Sequence, residues 1–299
     1  MFTVAIFVPL LGALVMMALP EARERLLRIV ATTIAAVPLV IAALAWLAFE
    51  GTGQFEHVDA VAWIPTLGAS YIVGVDGISL PLVAMTSLLF VAAVAYPTDF
   101  RGRPRAYFAL FLFLESVSLG VFLALDLLLF YVFWDLSLVG MYFLIGVWGH
   151  GEAGRRSALK FFLYTLAGSL AMLLAILALY LRTEPRTFDM AQLIVSRPLD
   201  DGGLMATLAF AGFALAFAIK APLVPFHTWL PPAHVDAPAP ASTILAGVLL
   251  KMGTYGFIRI LLAMMPHTSQ RFALPLGIVA VVSIVYGALV ALAQPNLKR

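Results

Sequence analysis

Cysteine is absent from the 299 residues. The chain therefore forms no disulfide, ligates no iron–sulfur cluster and offers no thiolate to a metal. Charge is scarce as well. Asp, Glu, Lys and Arg make up 11% of the chain, against about 25% in a soluble domain. The net charge of +2 exerts no strong pull on nucleic acid, so no nucleic-acid partner is expected. Gly-rich phosphate loops, nucleophile elbows and flavin or nicotinamide fingerprints are absent. No stretch is polar enough for a soluble domain. No basic region precedes the first apolar stretch, which opens at Phe2, so it reads as a retained span and not as a cleaved signal.

What fills the chain is apolar: 63% of residues are hydrophobic, where soluble proteins run about 45–50%. A membrane helix needs about 20 mostly apolar residues. Nine stretches qualify, near 2–19, 27–48, 77–96, 106–125, 127–148, 158–181, 204–221, 241–263 and 272–293. The sequence thus predicts an all-α, polytopic transmembrane bundle. The longest connections are 49–76, where Val58–Tyr71 alternates as a strand does, and 182–203. Arg23, Arg25 and Arg28 follow the first span, and Arg101, Arg103 and Arg105 the third. Arg155, Arg156 and Lys160 follow the fifth, and Lys298 and Arg299 the ninth, whereas 49–76 has neither Lys nor Arg. The positive-inside rule puts the basic loops in the cytoplasm and the N-terminus outside. Arg182, Arg186 and Arg197 run against that rule.

Lys220 to Pro240 breaks the pattern with Pro222, Pro225, Pro231, Pro232, Pro238 and Pro240. Each proline removes a backbone donor and disfavours a continuous helix. At membrane depth the freed groups must be buried in protein or line a wet cavity. The segment reads either as part of an ion path or as a re-entrant loop packed for shape.

Glu115, Asp135 and Lys251 fall near span centres, and Lys220 sits just before the proline break. Each charge costs at least about 2.5–3.5 kcal/mol at the bilayer centre. Two acids and two bases permit pairing in the protein interior. Pairing and desolvation act oppositely on a buried lysine, so a lysine balanced between them takes or releases a proton when its partner moves. Such groups read either as a proton relay or as glue between helices. Lys251 is taken as the lone charge on its span. His227 and His234 lie in the broken segment seven residues apart, with only Asp236 nearby, a spacing that fits no zinc site. A relay or hydrogen-bonding role suits His227, and an interfacial one suits His234 equally well. Asp126 reads as a cap or turn, Lys160 as a snorkelling side chain, and Trp134, Tyr142 and Trp148 as packing.

At these residues the sequence resembles a known family. Phe217-Ala-Ile-Lys-Ala-Pro-Leu-Val-Pro-Phe-His-Thr-Trp-Leu-Pro-Pro-Ala-His234 and Ile244-Leu-Ala-Gly-Val-Leu-Leu-Lys-Met-Gly-Thr-Tyr-Gly256 carry the resemblance. So do Gly120-Val-Phe-Leu-Ala-Leu-Asp126, Phe133-Trp-Asp-Leu136 and Met141-Tyr-Phe-Leu-Ile-Gly-Val-Trp-Gly-His150. They are similar to the antiporter-like membrane subunits, and among these to subunit M of proton-pumping NADH–quinone oxidoreductase, respiratory complex I. The resemblance implies a proton-relay role for Asp135, Lys220, His227 and Lys251, with Glu115 beside them. It implies that Asp135 pairs with Lys220. It implies no cofactor in this chain, with NADH, FMN, iron–sulfur clusters and quinone held by partner subunits. The expected surroundings are other membrane subunits and the lipid bilayer of a bacterial inner membrane, with protons as the species moved.

The sequence departs from the family in three places. Asp135 replaces a glutamate, Pro232 stands where the family has an aspartate, and the sequence reaches nine spans where the family has about fourteen in inverted repeats. It reads as a truncated chain: three leading helices (1–104), a first five-helix unit (105–265), and the opening helix of a second repeat (266–299). A sodium/proton antiporter subunit and a structural scaffold without flux are the rival expectations.

Overall fold

The computed structural model describes residues 1–21, 23–295 and 298, so Arg299, counted above among the cytoplasmic charges, lies outside the described residues. Helices cover each of the nine apolar stretches. They are α1 (Phe2–Ala18), α2 (Glu24–Leu47), α3 (Ser79–Ala95), α4 (Pro104–Leu123), α5 (Leu127–Trp148), α6 (Gly151–Arg182), α8 (Leu204–Lys220), the helix Ala239–Leu262 and α13 (Ala273–Leu292). Among the described residues six of these are long and apolar enough to cross a membrane, and α1, α3 and α8 are shorter apolar helices. Short helices fill the connections: α7 (Met190–Ser196), α9 (Leu230–Asp236) and α12 (Pro266–Arg271).

A helix that is apolar all round belongs in the middle of a membrane protein or against lipid. Here α4 takes the middle, with nearly every residue from Tyr107 to Leu123 buried, whereas α13 has no buried residue. α1, α2, α3 and α5 surround α4, and α6 lies between α5 and α8.

The alternation near Val58–Tyr71 folds as an antiparallel hairpin, β1 (Glu56–Ile64) and β2 (Ala69–Val75). Gly68 closes it at φ 65°, where a Cβ would also lie 2.6 Å from the Arg186 carbonyl. The α4–α5 connection docks beside the hairpin: Leu125 N–H donates to the Ile72 carbonyl at 2.9 Å, and Met190 N–H to the Leu125 carbonyl at 2.8 Å. Asp126 caps α5 by accepting from Leu128 and Leu129 N–H and also accepts from Ser70 N–H at 3.0 Å. One short side chain thus ties a helix start to a strand.

The break after Lys220 is hydrogen-bonded locally. Leu223 N–H donates to the Ala218 carbonyl, Leu230 N–H to the His227 carbonyl, and Val224 N–H to Ser283 Oγ at 2.9 Å. The chain then passes through α9 into Ala239–Leu262. That helix comprises α10 (Ala239–Ile244), a π turn at Leu245–Leu249, α11 (Leu250–Gly256) and a second π turn at Phe257–Leu262. π turns inside α-helices are rare and cluster at functional sites.

The orientation has a direct check. The chain has no native thiol, so a Gln54→Cys and an Arg103→Cys variant each carry one label site, and both parent residues are exposed. An impermeant maleimide should label them from opposite faces, position 103 from the cytoplasm. Labelling from one face would overturn the reading of the basic loops.

Candidate functional site

Lys220 ends α8 and is only 1% exposed. Its Nζ donates to Ser137 Oγ at 3.2 Å and lies 5.0 Å from the centre of the Trp134 ring. The Ser137 hydroxyl itself donates to the Trp134 carbonyl at 2.6 Å. One neutral oxygen and one aromatic face therefore hold a buried ammonium. Asp135, also on α5, is half-buried and accepts a hydrogen bond from Ser169 Oγ on α6.

Among the described residues no ion pair joins Asp135 to Lys220. Helix geometry gives the reason: residues two apart do not share a face. Ser137 is turned toward α8, and Asp135 toward α6.

Glu115 on α4 is fully buried, and neither carboxylate oxygen has a hydrogen-bond partner among the described residues. Isolated ionised carboxylates are costly in such surroundings. His227 is half-buried; its ring packs 5.3 Å from that of Tyr286, and Nδ1 has no protein partner among the described residues. It lines a cavity of about 330 Å³ with Lys160, Thr228, Pro231, Pro232 and Gln294. Lys160 Nζ donates to the Thr228 carbonyl at 2.7 Å, and so fastens α6 to the broken segment.

Lys251 differs from the interior placement expected of it. It is exposed, while Met252, Gly253, Tyr255 and Gly256 form the buried face of α11. Gly253 lets that face lie directly on the end of α8: a Cβ there would meet Ala221 N at 2.6 Å and the Phe217 carbonyl at 2.9 Å. The two lysine-bearing helices are therefore in backbone contact next to Lys220.

Lys251 is also not the lone charge of its helix. Arg259, overlooked above, lies eight residues on, is 5% exposed, and pairs with Asp76 at 2.6 Å. An arginine inside the 241–263 apolar stretch was the signal that could have found it. Burial pushes the Asp76 carboxyl up, but hydrogen bonds from Arg259 and from Ser79 N–H outweigh it and hold the group below its usual range. Among the described residues no group of three His, Cys, Asp or Glu could hold a metal ion.

Ionisable side chains placed within otherwise apolar helices, with one helix broken beside them, define an antiporter-like membrane subunit. Residues 124–299 match the family model described as NADH:quinone oxidoreductase/Mrp antiporter, TM, and the chain belongs to that family, as an integral, multi-pass membrane protein. It is 42% identical to the NAD(P)H-quinone oxidoreductase chain 4 1 of Picosynechococcus sp., over 99% of this chain and 55% of the relative. It is 38% identical to the NADH-ubiquinone oxidoreductase chain 4 of Marchantia polymorpha, over 98% of this chain and 59% of the relative. A chain of respiratory complex I from Thermus thermophilus superposes with TM-score 0.85 at 32% identity, covering 100% of this chain and 60% of that one. A chain of an archaeal membrane-bound sulfane sulfur reductase shares the fold, with TM-score 0.84 at 21% identity. The chain spans little more than half the length of the curated relatives it matches.

Proposed function

We propose that this chain forms part of a proton-translocating membrane subunit of an NADH–quinone oxidoreductase, seated in a bacterial inner membrane among other membrane subunits. The observation that carries the reading is Lys220, a buried lysine at the end of a broken helix that meets the Ser137 hydroxyl and the Trp134 face and, among the described residues, forms no ion pair. Structural glue would call for a direct ion pair there.

NADH, FMN, iron–sulfur clusters and quinone are assigned to partner subunits. There is no cysteine for a cluster and no Gly-rich loop for a dinucleotide phosphate. What this chain supplies is a set of proton-holding groups. The cavity at Lys160 and His227 gives access from the basic-loop side. Lys220 holds a proton in a site where Asp135 and the Trp134 face favour the charge and desolvation opposes it. A change in Asp135, through its Ser169 bond or its own protonation, tips that balance. Lys251, carried on the helix that touches the end of α8, takes the next position. Moving one charge against 100 mV costs about 2.3 kcal/mol, a size that a change in one nearby charge interaction can offset.

Lys251→Ala tests the reading in a complex carrying the full-length subunit. Proton pumping should be lost while assembly and NADH-dependent quinone reduction persist. Normal pumping by an assembled variant would remove Lys251 from the path.

A second reading is a sodium/proton antiporter subunit. The family description spans both kinds of complex. Absence of NADH-dependent quinone reduction from a complex purified through this chain would favour it.

A further inference from the structure

Asp76 and Arg259 lie 183 residues apart in the sequence and meet at one point in the fold. Asp76 precedes α3 and is held rigidly. Its Oδ1 accepts from Ile78 N–H at 3.1 Å and Ser79 N–H at 2.9 Å, and its own N–H donates to Ser79 Oγ at 3.0 Å. Arg259 sits inside the π turn Phe257–Leu262. One edge of its guanidinium donates to Asp76 at 2.6 Å, and Nε donates to the Tyr255 hydroxyl at 3.0 Å. That hydroxyl donates in turn to the Phe122 carbonyl at 3.2 Å. The Phe55 and Tyr255 rings lie 5.1 and 5.3 Å from the guanidinium carbon. The cluster therefore joins the helix Ala239–Leu262 to the start of α3, the end of α4 and the segment leading into the hairpin.

Lys251 is eight residues before Arg259 on that helix, about 12 Å along its axis. Its ammonium makes no hydrogen bond or ion pair with the described residues. Its side chain is exposed, so the turn of the helix decides where the ammonium lies. The helix has a π turn on each side of it. A π turn holds one residue more than the α register, and its conversion turns the rest of the helix by about 100°. A buried ion pair is poor cement by itself, since well-packed apolar residues often serve as well, but in some proteins a buried polar or ionic group selects one register.

We propose that the Asp76–Arg259–Tyr255 cluster is a latch that holds the second π turn in register and thereby sets the position of Lys251, making Asp76 and Arg259 positioning residues for proton transfer. The latch acts on the helix. Its consequence for pumping rests on the proton-translocation reading above.

The experiment uses the assembled complex with the full-length subunit. Asp76→Asn, Arg259→Met and the double variant are each combined with Lys251→Cys for labelling, and are also made with Lys251 intact for flux. Each single change should speed amide exchange across 250–262 by about tenfold or more and change the rate of thiol labelling at position 251 at least about threefold. The double variant leaves no lone buried charge, so it should assemble at least as well as either single one and show the same altered labelling. With Lys251 intact, protons moved per NADH oxidised should fall at least about twofold in all three, with NADH oxidation itself retained. Unchanged labelling at position 251 in the double variant would overturn the latch whatever the flux. Altered labelling with an unchanged proton ratio would make the pair purely structural and would also overturn it. Normal pumping by Lys251→Ala alone would instead defeat the function reading, and the labelling result would still decide the latch.

Discussion

Replacing Lys220 by methionine should lower proton translocation about a hundredfold or more, in the range expected for loss of a positioned proton-transfer group. Assembly should survive. The methionine stem fills much of the lysine's space, and the change removes a buried charge together with its desolvation cost. It leaves Ser137 with its bond to the Trp134 carbonyl and the Trp134 face in an apolar setting. The measurement is acidification of proteoliposomes by the reconstituted complex, read against NADH oxidation in the same vesicles. Translocation at a quarter or more of the normal rate would sink Lys220 as a relay. The same assay carries a double-mutant cycle with Asp135→Asn. A through-space effect of Asp135 on Lys220 should show as a coupling of about 1 kcal/mol. Asp135→Glu should retain pumping, because it keeps a carboxylate at this place on α5. Strictly additive single and double effects would mean that Asp135 does not act on Lys220.

A valine at Gly253 should be more damaging than ordinary overpacking, which costs about 1–3 kcal/mol. The obstacle is backbone: even a Cβ there would lie 2.6 Å from Ala221 N and 2.9 Å from the Phe217 carbonyl. Backbone cannot rotate aside as a side chain can, so α11 must lift from α8 at the residue after Lys220. Small residues allow such close helix approach in membranes, where packing drives association. Gly253→Val should therefore lower the Tm of the purified protein by several degrees, and pumping should fall even where the complex assembles. An unchanged Tm would show that α8 and α11 are not in this contact.

Much of the architecture was written locally in the sequence. Insertion into a bilayer depends on summed apolarity over about 20 residues, and the nine stretches became helices. Asp126 was legible as a cap because a cap is a matter of two or three neighbouring N–H groups. The strand-like alternation at Val58–Tyr71 was legible for the same reason, but its pairing into a hairpin was not. The ionisable side chains stood out, because a charge among apolar residues has few innocent explanations. Which way each of them faces was not legible. A helix that is apolar on every side carries no stripe to mark its inward face, so only packing against α8 turned Lys251 outward and Gly253 inward. Only the relation of α5 to its two neighbours sent Asp135 to Ser169 and Ser137 to Lys220. Arg259 found Asp76 across 183 residues, a pairing no local pattern encodes. The sequence by itself determined the spans, the turns and the inventory of proton-holding groups, because these follow from local chemistry. The tertiary structure alone decided their partners, because helix rotation and contact are set by the neighbours.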